Sequence, residues 1–300
     1  MLVPVVRAAA EQYPDVQITI LTQQRMADLF ADMPANVNFH GVDIKRQSLQ
    51  EIVAGLGKYE AVADMHGVLR SMYVRWRMRL RGAQVACIDK GRRSKRQLVQ
   101  GNIHEPLKHT TERYAEVFAA LGLPIKLRVK PRIDRTTTGL PLGIAPFAAH
   151  KGKVYPLDRM AAVVEMLSAK GEHVILFGGG KEEQAVLEGW AMKYKGVESV
   201  AGKMSLGEEL DMMRGLRVML SMDSANMHLA SLVGTRVVSV WGATHPNAGF
   251  LGIGQQESDC IQRELSCRPC SIYGNKKCRY GDYRCLAIKP EEIVEKLLEP

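Results

Sequence analysis

The order of apolar and polar residues predicts strands and helices that alternate along the chain. Short β-branched or wholly apolar runs predict strands, and stretches with apolar residues every three or four positions predict helices. Predicted strands cover residues 17–21, 37–41, 61–64, 84–88, 142–146, 173–177, 197–201, 218–221 and 237–241. Predicted helices cover residues 3–12, 24–32, 49–56, 111–121, 157–170, 182–194, 206–215 and 225–232. Such alternation is typical of parallel sheets built from βαβ units, and we expect an α/β fold.

Two series of these units are separated by residues 126–138, which are rich in Lys, Arg and Thr and contain Pro131. We therefore expect one Rossmann-like domain over residues 1–138, a second over residues 139–300, and a cleft between them. Residues 72–81 depart from the pattern, because Arg alternates with apolar residues. A period of two predicts a strand with one arginine face, and a basic helix is the alternative, which the family resemblance described below favours.

The composition excludes several classes of protein. Apolar residues make up 46% of the chain and charged residues 24%, which is typical of a globular protein rather than a disordered, collagen-like or coiled-coil chain. No apolar run reaches the length of a membrane span, and the first residues lack a signal-peptide pattern. We expect a cytoplasmic protein with reduced or metal-bound cysteines.

The net charge of +9 lies in the first half of the chain. Residues 1–140 carry 22 Lys and Arg against 13 Asp and Glu, whereas residues 141–300 carry 19 of each. Residues 70–96 hold ten basic residues and one acid. A basic half indicates an anionic partner such as nucleic acid, a phosphorylated lipid or a membrane surface, or merely a soluble basic face. With 6% aromatic residues and no recognition motif, we expect no nucleic-acid partner.

Candidate chemistry lies where the predicted strands of the second half end, since doubly wound sheets bind ligands there. Lys153 follows the first of these strands in a segment of small residues, which suits a phosphate, although a flexible basic loop is an alternative. A Gly178-Gly179-Gly180 turn follows the next strand and precedes Glu182. The turn allows a nucleotide to approach and the acid suits ribose hydroxyls, although a tight turn and a favourable helix dipole explain both without a ligand.

The third strand end is Asp223-Ser224, where a predicted helix begins. The free amides of a helix start bind anions. Alternatively, Asp223 or Ser224 only caps the helix, and His228 is a buried core histidine.

These segments, in this order and spacing, resemble the ADP-heptose:lipopolysaccharide heptosyltransferases of glycosyltransferase family 9, which have the two-domain GT-B fold. The family's donor motif Asp-Ser/Thr-Gly-x-x-His corresponds to residues 223–228, with Ala225 in place of Gly. The other matching segments are Lys153-Val154-Tyr155-Pro156, Gly179-Gly180-Lys181-Glu182, Lys203-Met204-Ser205-Leu206, residues 64–70 and residues 288–291.

The resemblance implies inverting, metal-independent transfer of heptose from ADP-heptose to an anionic acceptor of the lipopolysaccharide-core type. It implies no cofactor beyond this nucleotide-sugar donor, and peripheral contact with the inner membrane. The implied catalytic residues are Lys153, Asp223 and His228. The implied donor-binding residues are Lys153, Glu182, Met204, Asp223, Ser224, Ala225 and His228.

The chain differs from the family pattern at its start. Family members open with a strand and a Gly-Asp loop whose Asp is the presumed general base, whereas this chain opens at the following helix. We therefore expect the first strand of the acceptor domain to be missing and the domain to be destabilised or rearranged. Asp64 and His66 are the first candidates to replace the base. The alternative function is a non-catalytic protein that binds sugar nucleotides.

Four cysteines form a second motif near the end of the chain. Cys267 and Cys270 make a CxxC pair, and Cys278 and Cys285 follow. This number of thiols suits a structural tetrahedral zinc site, although the second pair lacks the CxxC spacing. Reduced structural cysteines and disulfides are the alternatives.

Overall fold

The computed structural model describes residues 1–129, 132–135, 137 and 139–299. They divide into two compact units, Met1–Arg92 with Lys108–Val129, and Arg93–Leu107 with Lys130–Pro300. The predicted boundary residue, Thr138, lies outside the described residues. The assignment of acceptor and donor roles to residues 1–138 and 139–300 stays a prediction.

The first unit opens with a helix, as predicted. Its strands form two separate parallel pairs, β1 with β2 and β3 with β4, in place of one continuous sheet among the described residues. The elements before the second unit's sheet are α1 Leu2–Gln12, β1 Ile18–Gln23, β2 Val37–Val42, α2 Leu49–Ala54, β3 Ala61–Asp64, α3 Leu69–Leu80, β4 Gln84–Cys87, α4 Arg92–Val99 and α5 Thr110–Ala119. The predicted helix at residues 24–32 is a 3-10 helix over Gln24–Phe30.

Residues 72–81 lie almost wholly in α3, so the basic helix is confirmed and the strand indicated by the period of two is wrong. Val74 and Met78 pack inward against Leu56 and Ala83, whereas Trp76 and Leu80 lie exposed on the opposite face. A helix with apolar residues on both faces and arginines between them produces the alternation that imitates a strand.

The second unit contains one parallel sheet of six strands in the order β10-β9-β8-β5-β6-β7. Its elements are β5 Leu142–Ala145, α6 Leu157–Ala169, β6 Val174–Leu176, α7 Lys181–Lys193, β7 Val197–Ser199, α8 Leu206–Arg214, β8 Val218–Met222, α9 Ala225–Leu232, β9 Val237–Trp241, β10 Cys260–Gln262 and α10 Pro290–Leu298. The sequence patterns did not predict α4, β10 or α10.

Helices cover both faces of this sheet. On one face, Leu142 and Ile144 of β5 pack with Met160 and Leu167 of α6 and with Ile293 of α10. On the other, Ala145, Met219 and Val237 pack with residues of α8 and α9. Strands buried on both faces form continuous apolar runs, so this half follows its sequence prediction closely. No helix in the described part of the chain is long and apolar enough to cross a bilayer.

Candidate functional site

The strand order of the second unit creates a switch point between β5 and β8. The chain leaves β5 toward β6 and β7, and then returns to β8 on the other side of β5. The connections that follow β5 and β8 therefore diverge, and such a divergence leaves a crevice beyond the strand ends where doubly wound sheets bind ligands.

Lys153 and Asp223 meet at this switch point. Lys153 ends a short 3-10 turn, Lys151–Lys153, after β5, and Asp223 directly follows β8. The Lys153 Nζ lies 2.8 Å from Asp223 Oδ2, and the two side chains are 15% and 5% exposed. Both charges are largely removed from water and compensate one another at the strand edge.

The start of α9 lies beside this pair. Ser224 is the N-cap residue, yet in the described structure its side chain makes no capping hydrogen bond. Its hydroxyl instead lies 3.1 Å from the hydroxyl of Ser221. Ser224 therefore occupies the N-cap position without capping the helix through its side chain. Ala225 is the first residue of α9 and is exposed, and His228 is half-buried one turn further along.

Glu182 and Met204 lie beyond the neighbouring strands β6 and β7. Glu182 is exposed in the first turn of α7, and Met204 packs partly buried against the cluster that contains Phe177 and Ala145. The carboxylate that binds the glycine turn is that of Glu183, which accepts a 2.8 Å hydrogen bond from the amide of Gly179. Glu182 thus has no part in holding the turn.

The cysteine-rich segment, residues 267–285, lies against the same site, a contact that the sequence analysis missed. The amides of Cys270 and Ser271 donate to the carbonyl of Ala243, whose own amide donates to the carbonyl of Gly152. Gly274 then packs against the side chain of Lys153. The cysteine spacing was the available signal, but it did not reveal which strand end the segment covers.

The six cysteines are free thiols. No three His, Cys, Asp or Glu side chains within the described ranges are grouped so that they could hold a metal ion. Burial raises the pKa of Cys285 to about 11. Burial also opposes ionisation of Cys278, but backbone hydrogen bonds from Tyr280, Tyr283 and Gly281 outweigh it and lower the pKa of that thiol. The thiols thus differ in reactivity, and the zinc interpretation stays a prediction.

In the first unit, Asp64 is buried at the end of β3. One oxygen accepts hydrogen bonds from the amides of His66, at 2.9 Å, and Gly67, at 2.8 Å, and the other lies 3.4 Å from an Arg75 nitrogen. Burial raises the pKa of Asp64, but the hydrogen bonds from Gly67, His66 and Ser71 together with the charge of Arg75 outweigh it and lower the pKa below its usual value.

A lysine and a helix start at the switch point of a doubly wound sheet are typical of domains that bind nucleotide phosphates. Residues 55–280 match the model of glycosyltransferase family 9 (heptosyltransferase). The chain belongs to this family and is a glycosyltransferase.

Relatives and solved structures agree with this family. The chain is 24% identical over 268 residues to lipopolysaccharide heptosyltransferase 3 of Escherichia coli, covering 80% of this chain and 79% of the relative. Its fold is similar to a family 9 glycosyltransferase of Veillonella parvula, with TM-score 0.72 and 17% identity over 100% and 93% of the two chains. It is also similar to E. coli heptosyltransferase WaaC with ADP-2-deoxy-2-fluoro heptose, with TM-score 0.68 and 18% identity over 98% and 94%. The GT-B fold expectation is confirmed.

Proposed function

We propose that this chain transfers heptose from ADP-heptose to an anionic acceptor of the lipopolysaccharide-core type. The observation that carries the proposal is the Lys153–Asp223 pair at the switch point, beside the start of α9. The names of the relatives supply the sugar and the acceptor: one is a lipopolysaccharide heptosyltransferase, and another was solved with an ADP-heptose analogue.

In the proposed reaction, an acceptor hydroxyl attacks the anomeric carbon while ADP leaves from the opposite face, which inverts the configuration. Negative charge grows on the departing diphosphate, so donors aimed at it lower the barrier. Lys153 and the amides at the start of α9 fill this role and supply the charge that a metal ion provides in other transferases. Asp223 holds sugar hydroxyls, because a carboxylate repels phosphate.

The family resemblance supplies the remaining donor contacts of the proposal. Glu182 and Met204, beyond β6 and β7, contact the nucleoside, and His228 assists at the phosphate or the sugar. The protein acts at the cytoplasmic side of the inner membrane, in peripheral contact with it. These roles, inversion and metal independence all belong to the proposal.

The attacking acceptor hydroxyl must lose its proton to a general base. Asp64 is a poor candidate, because a carboxylate whose pKa is lowered is a weak base and its oxygens are already engaged by Gly67, His66 and Arg75. The exposed His66 is the remaining candidate of the two. The alternative, a protein that binds sugar nucleotides without turning them over, predicts that a His66→Ala variant and the parent both bind ADP-heptose and both transfer no heptose.

Calorimetric titration with ADP, UDP and GDP tests the nucleotide, and we expect ADP to bind tightest. A preference for UDP would overturn the assignment. Mass-spectrometric detection of heptose on a lipopolysaccharide-core acceptor then separates transfer from binding alone.

An Asp223→Asn variant tests whether Asp223 holds the sugar while Lys153 binds the diphosphate. It should bind ADP at least as tightly as the parent, since a negative charge near the diphosphate is gone, but it should lose the extra affinity for ADP-heptose. If the variant instead loses ADP and ADP-heptose equally, Asp223 supports the phosphate site rather than the sugar.

A further inference from the structure

The outer face of α3 is an apolar stripe exposed to solvent. Leu69, Met72, Trp76 and Leu80 are 80%, 48%, 54% and 65% exposed. Their spacing of three, four and four residues places them along one side of a helix that advances 100° per residue. Tyr73 lies next to this stripe, with its ring centroid 6.4 Å from that of Trp76. Scattered apolar residues on a surface are ordinary, but a contiguous row indicates a partner.

Arginines flank the stripe on both sides. Arg70, Arg77 and Arg81 fall on one side of the helical wheel, and Arg75 and Arg79 on the other. The helix contains no acidic residue. Arg70, Arg77, Arg79 and Arg81 have no ion-pair partner within the described ranges, while Arg75 pairs with Asp64. Arg70, Arg77 and Arg79 therefore supply positive charge beside the stripe that no carboxylate of the described residues neutralises.

The opposite side of α3 fixes the helix in the first unit. Met78 is 1% exposed and packs with Leu56 and Ala83. Arg81 donates a 2.9 Å hydrogen bond to the carbonyl of Leu56. Because the inner face of α3 already packs within the first unit, the outer stripe is a surface of the folded unit and not part of its core.

A groove of about 360 Å³ borders the stripe. Met72, Trp76 and Val85 supply apolar walls, Arg79 supplies positive charge, and Arg75 lines the groove while paired with Asp64. Apolar surface next to guanidinium groups suits a phospholipid, whose phosphate lies directly beside its acyl chains.

We infer that α3 is a membrane-docking helix that lies in the plane of an anionic lipid bilayer. Leu69, Met72, Trp76 and Leu80 enter the boundary between headgroups and acyl chains, and the flanking arginines contact lipid phosphates. Tyr73 and Trp76 are of the types that concentrate at this boundary. A twelve-residue helix is about 18 Å long, enough to lie on a bilayer but too short to cross it.

The charge and the exposed apolar residues of α3 argue against two other partners, a second copy of the chain and nucleic acid. A second copy docked through the same stripe would bring two arginine rims together without acidic residues on either helix. Nucleic acid would pair with the arginines but leave Leu69 and Leu80 in water. This inference identifies the surface that makes the membrane contact in the proposed function. It rests on the proposed function only for which membrane is bound.

Vesicle co-sedimentation of the full chain, without donor or acceptor, tests the inference. We expect binding to phosphatidylglycerol-containing vesicles and little binding to pure phosphatidylcholine. A Leu69→Ser/Trp76→Ser variant should bind at least about tenfold more weakly. Arg70→Gln/Arg77→Gln should weaken binding by about fivefold per arginine, and the loss should shrink at high salt.

Matched controls lie on the second unit. Met192→Ser removes an 83% exposed apolar side chain, and Lys170→Gln/Lys195→Gln removes two exposed charges. All variants should keep the parent's melting temperature, and the controls should keep its vesicle binding. Two results would overturn the inference: equal binding by the parent and the α3 variants, or a parent dimer that these substitutions dissociate.

Transfer assays separate this inference from the proposed function. Transfer to a soluble, deacylated acceptor should be unchanged by Trp76→Ser/Leu80→Ser, a second pair on the stripe that lies outside residues 64–70, while transfer to acceptor embedded in vesicles should fall. If the parent binds vesicles through α3 but transfers no heptose, the proposed function fails and the docking surface stands.

Discussion

Gly274 and Lys153 pack so closely that a Cβ on residue 274 would lie 2.6 Å from the Cγ of Lys153. A real Cβ does not approach a carbon atom so closely, so an added methyl group must displace the lysine stem or the segment that carries residue 274. The cysteine-rich segment, residues 267–285, thereby fixes the path of the proposed phosphate-binding lysine.

Gly274→Ala should therefore weaken ADP binding, by up to about tenfold, because the ammonium loses its position. Gly281→Ala is the matched control. Both glycines have a positive φ, +74° and +79°, so both alanines are strained, but residue 281 has open space around its Cβ position. Calorimetry of both variants isolates the clash, and equal ADP affinities would show that Gly274 does not position Lys153.

Asp64→Asn should lower the stability of the chain by about 1–3 kcal/mol near neutral pH, because the carboxylate holds the His66–Gly67 turn and faces Arg75. The pKa of Asp64 is lowered in the folded state, so its contribution is present above the unfolded pKa of about 4 and is lost as the pH falls through the lower folded value. The stability difference between parent and variant should thus shrink below about pH 4. Asp15→Asn, at an exposed position, provides the control in urea titrations over this range.

The reactivity of two cysteines reports on the segment that covers Lys153. The thiolate is the form that reacts, and the pKa of Cys278 is lowered while burial raises that of Cys285 to about 11. Iodoacetamide near neutral pH should therefore label Cys278 well before Cys285, as peptide mapping would reveal. Comparable labelling rates would contradict this order. If both thiols are protected from labelling and a chelator removes this protection, the zinc alternative is supported.

The second unit could be predicted well from the sequence and the first unit less well. Strands buried on both faces, such as β5 and β8, appear as short, continuous apolar runs. In α3, Trp76 and Leu80 face solvent while Val74 and Met78 face the core, so burial does not follow hydrophobicity and the local period misleads. Such predictions assume that apolar residues are buried, and an exposed apolar surface that binds a partner breaks this assumption.

The candidate site was likewise predictable from the sequence only in part. Lys153 and Asp223 each follow a strand, and parallel strands bring their carboxyl ends to one edge, so their proximity follows from the pattern. Gly274 reaches the site through a long segment with little regular structure, anchored by hydrogen bonds to Ala243. No local periodicity encodes such a contact.

Lys153→Ala is the most direct test of the phosphate site, and Lys151→Ala is its matched control. Both lysines belong to the same 3-10 turn, but Lys151 is exposed and its Nζ lies 5.6 Å from the ring centroid of Tyr283. A charge-assisted hydrogen bond contributes roughly 1.5–3 kcal/mol, so Lys153→Ala should reduce ADP affinity by about one to two decades, and Lys151→Ala should change it little. The reverse order would assign the phosphate to Lys151.

Loss of Lys153 also leaves Asp223 buried without its partner, and this structural effect must be separated from the loss of binding. An uncompensated buried charge is destabilising by a few kcal/mol, about 3–5 for a fully buried pair. The double variant Lys153→Ala/Asp223→Asn should recover most of the melting temperature that Lys153→Ala loses, because no lone charge remains. Its ADP affinity should stay low, since the ammonium is still absent. If affinity returns together with stability, Lys153 serves to neutralise Asp223, and the diphosphate is bound by other groups.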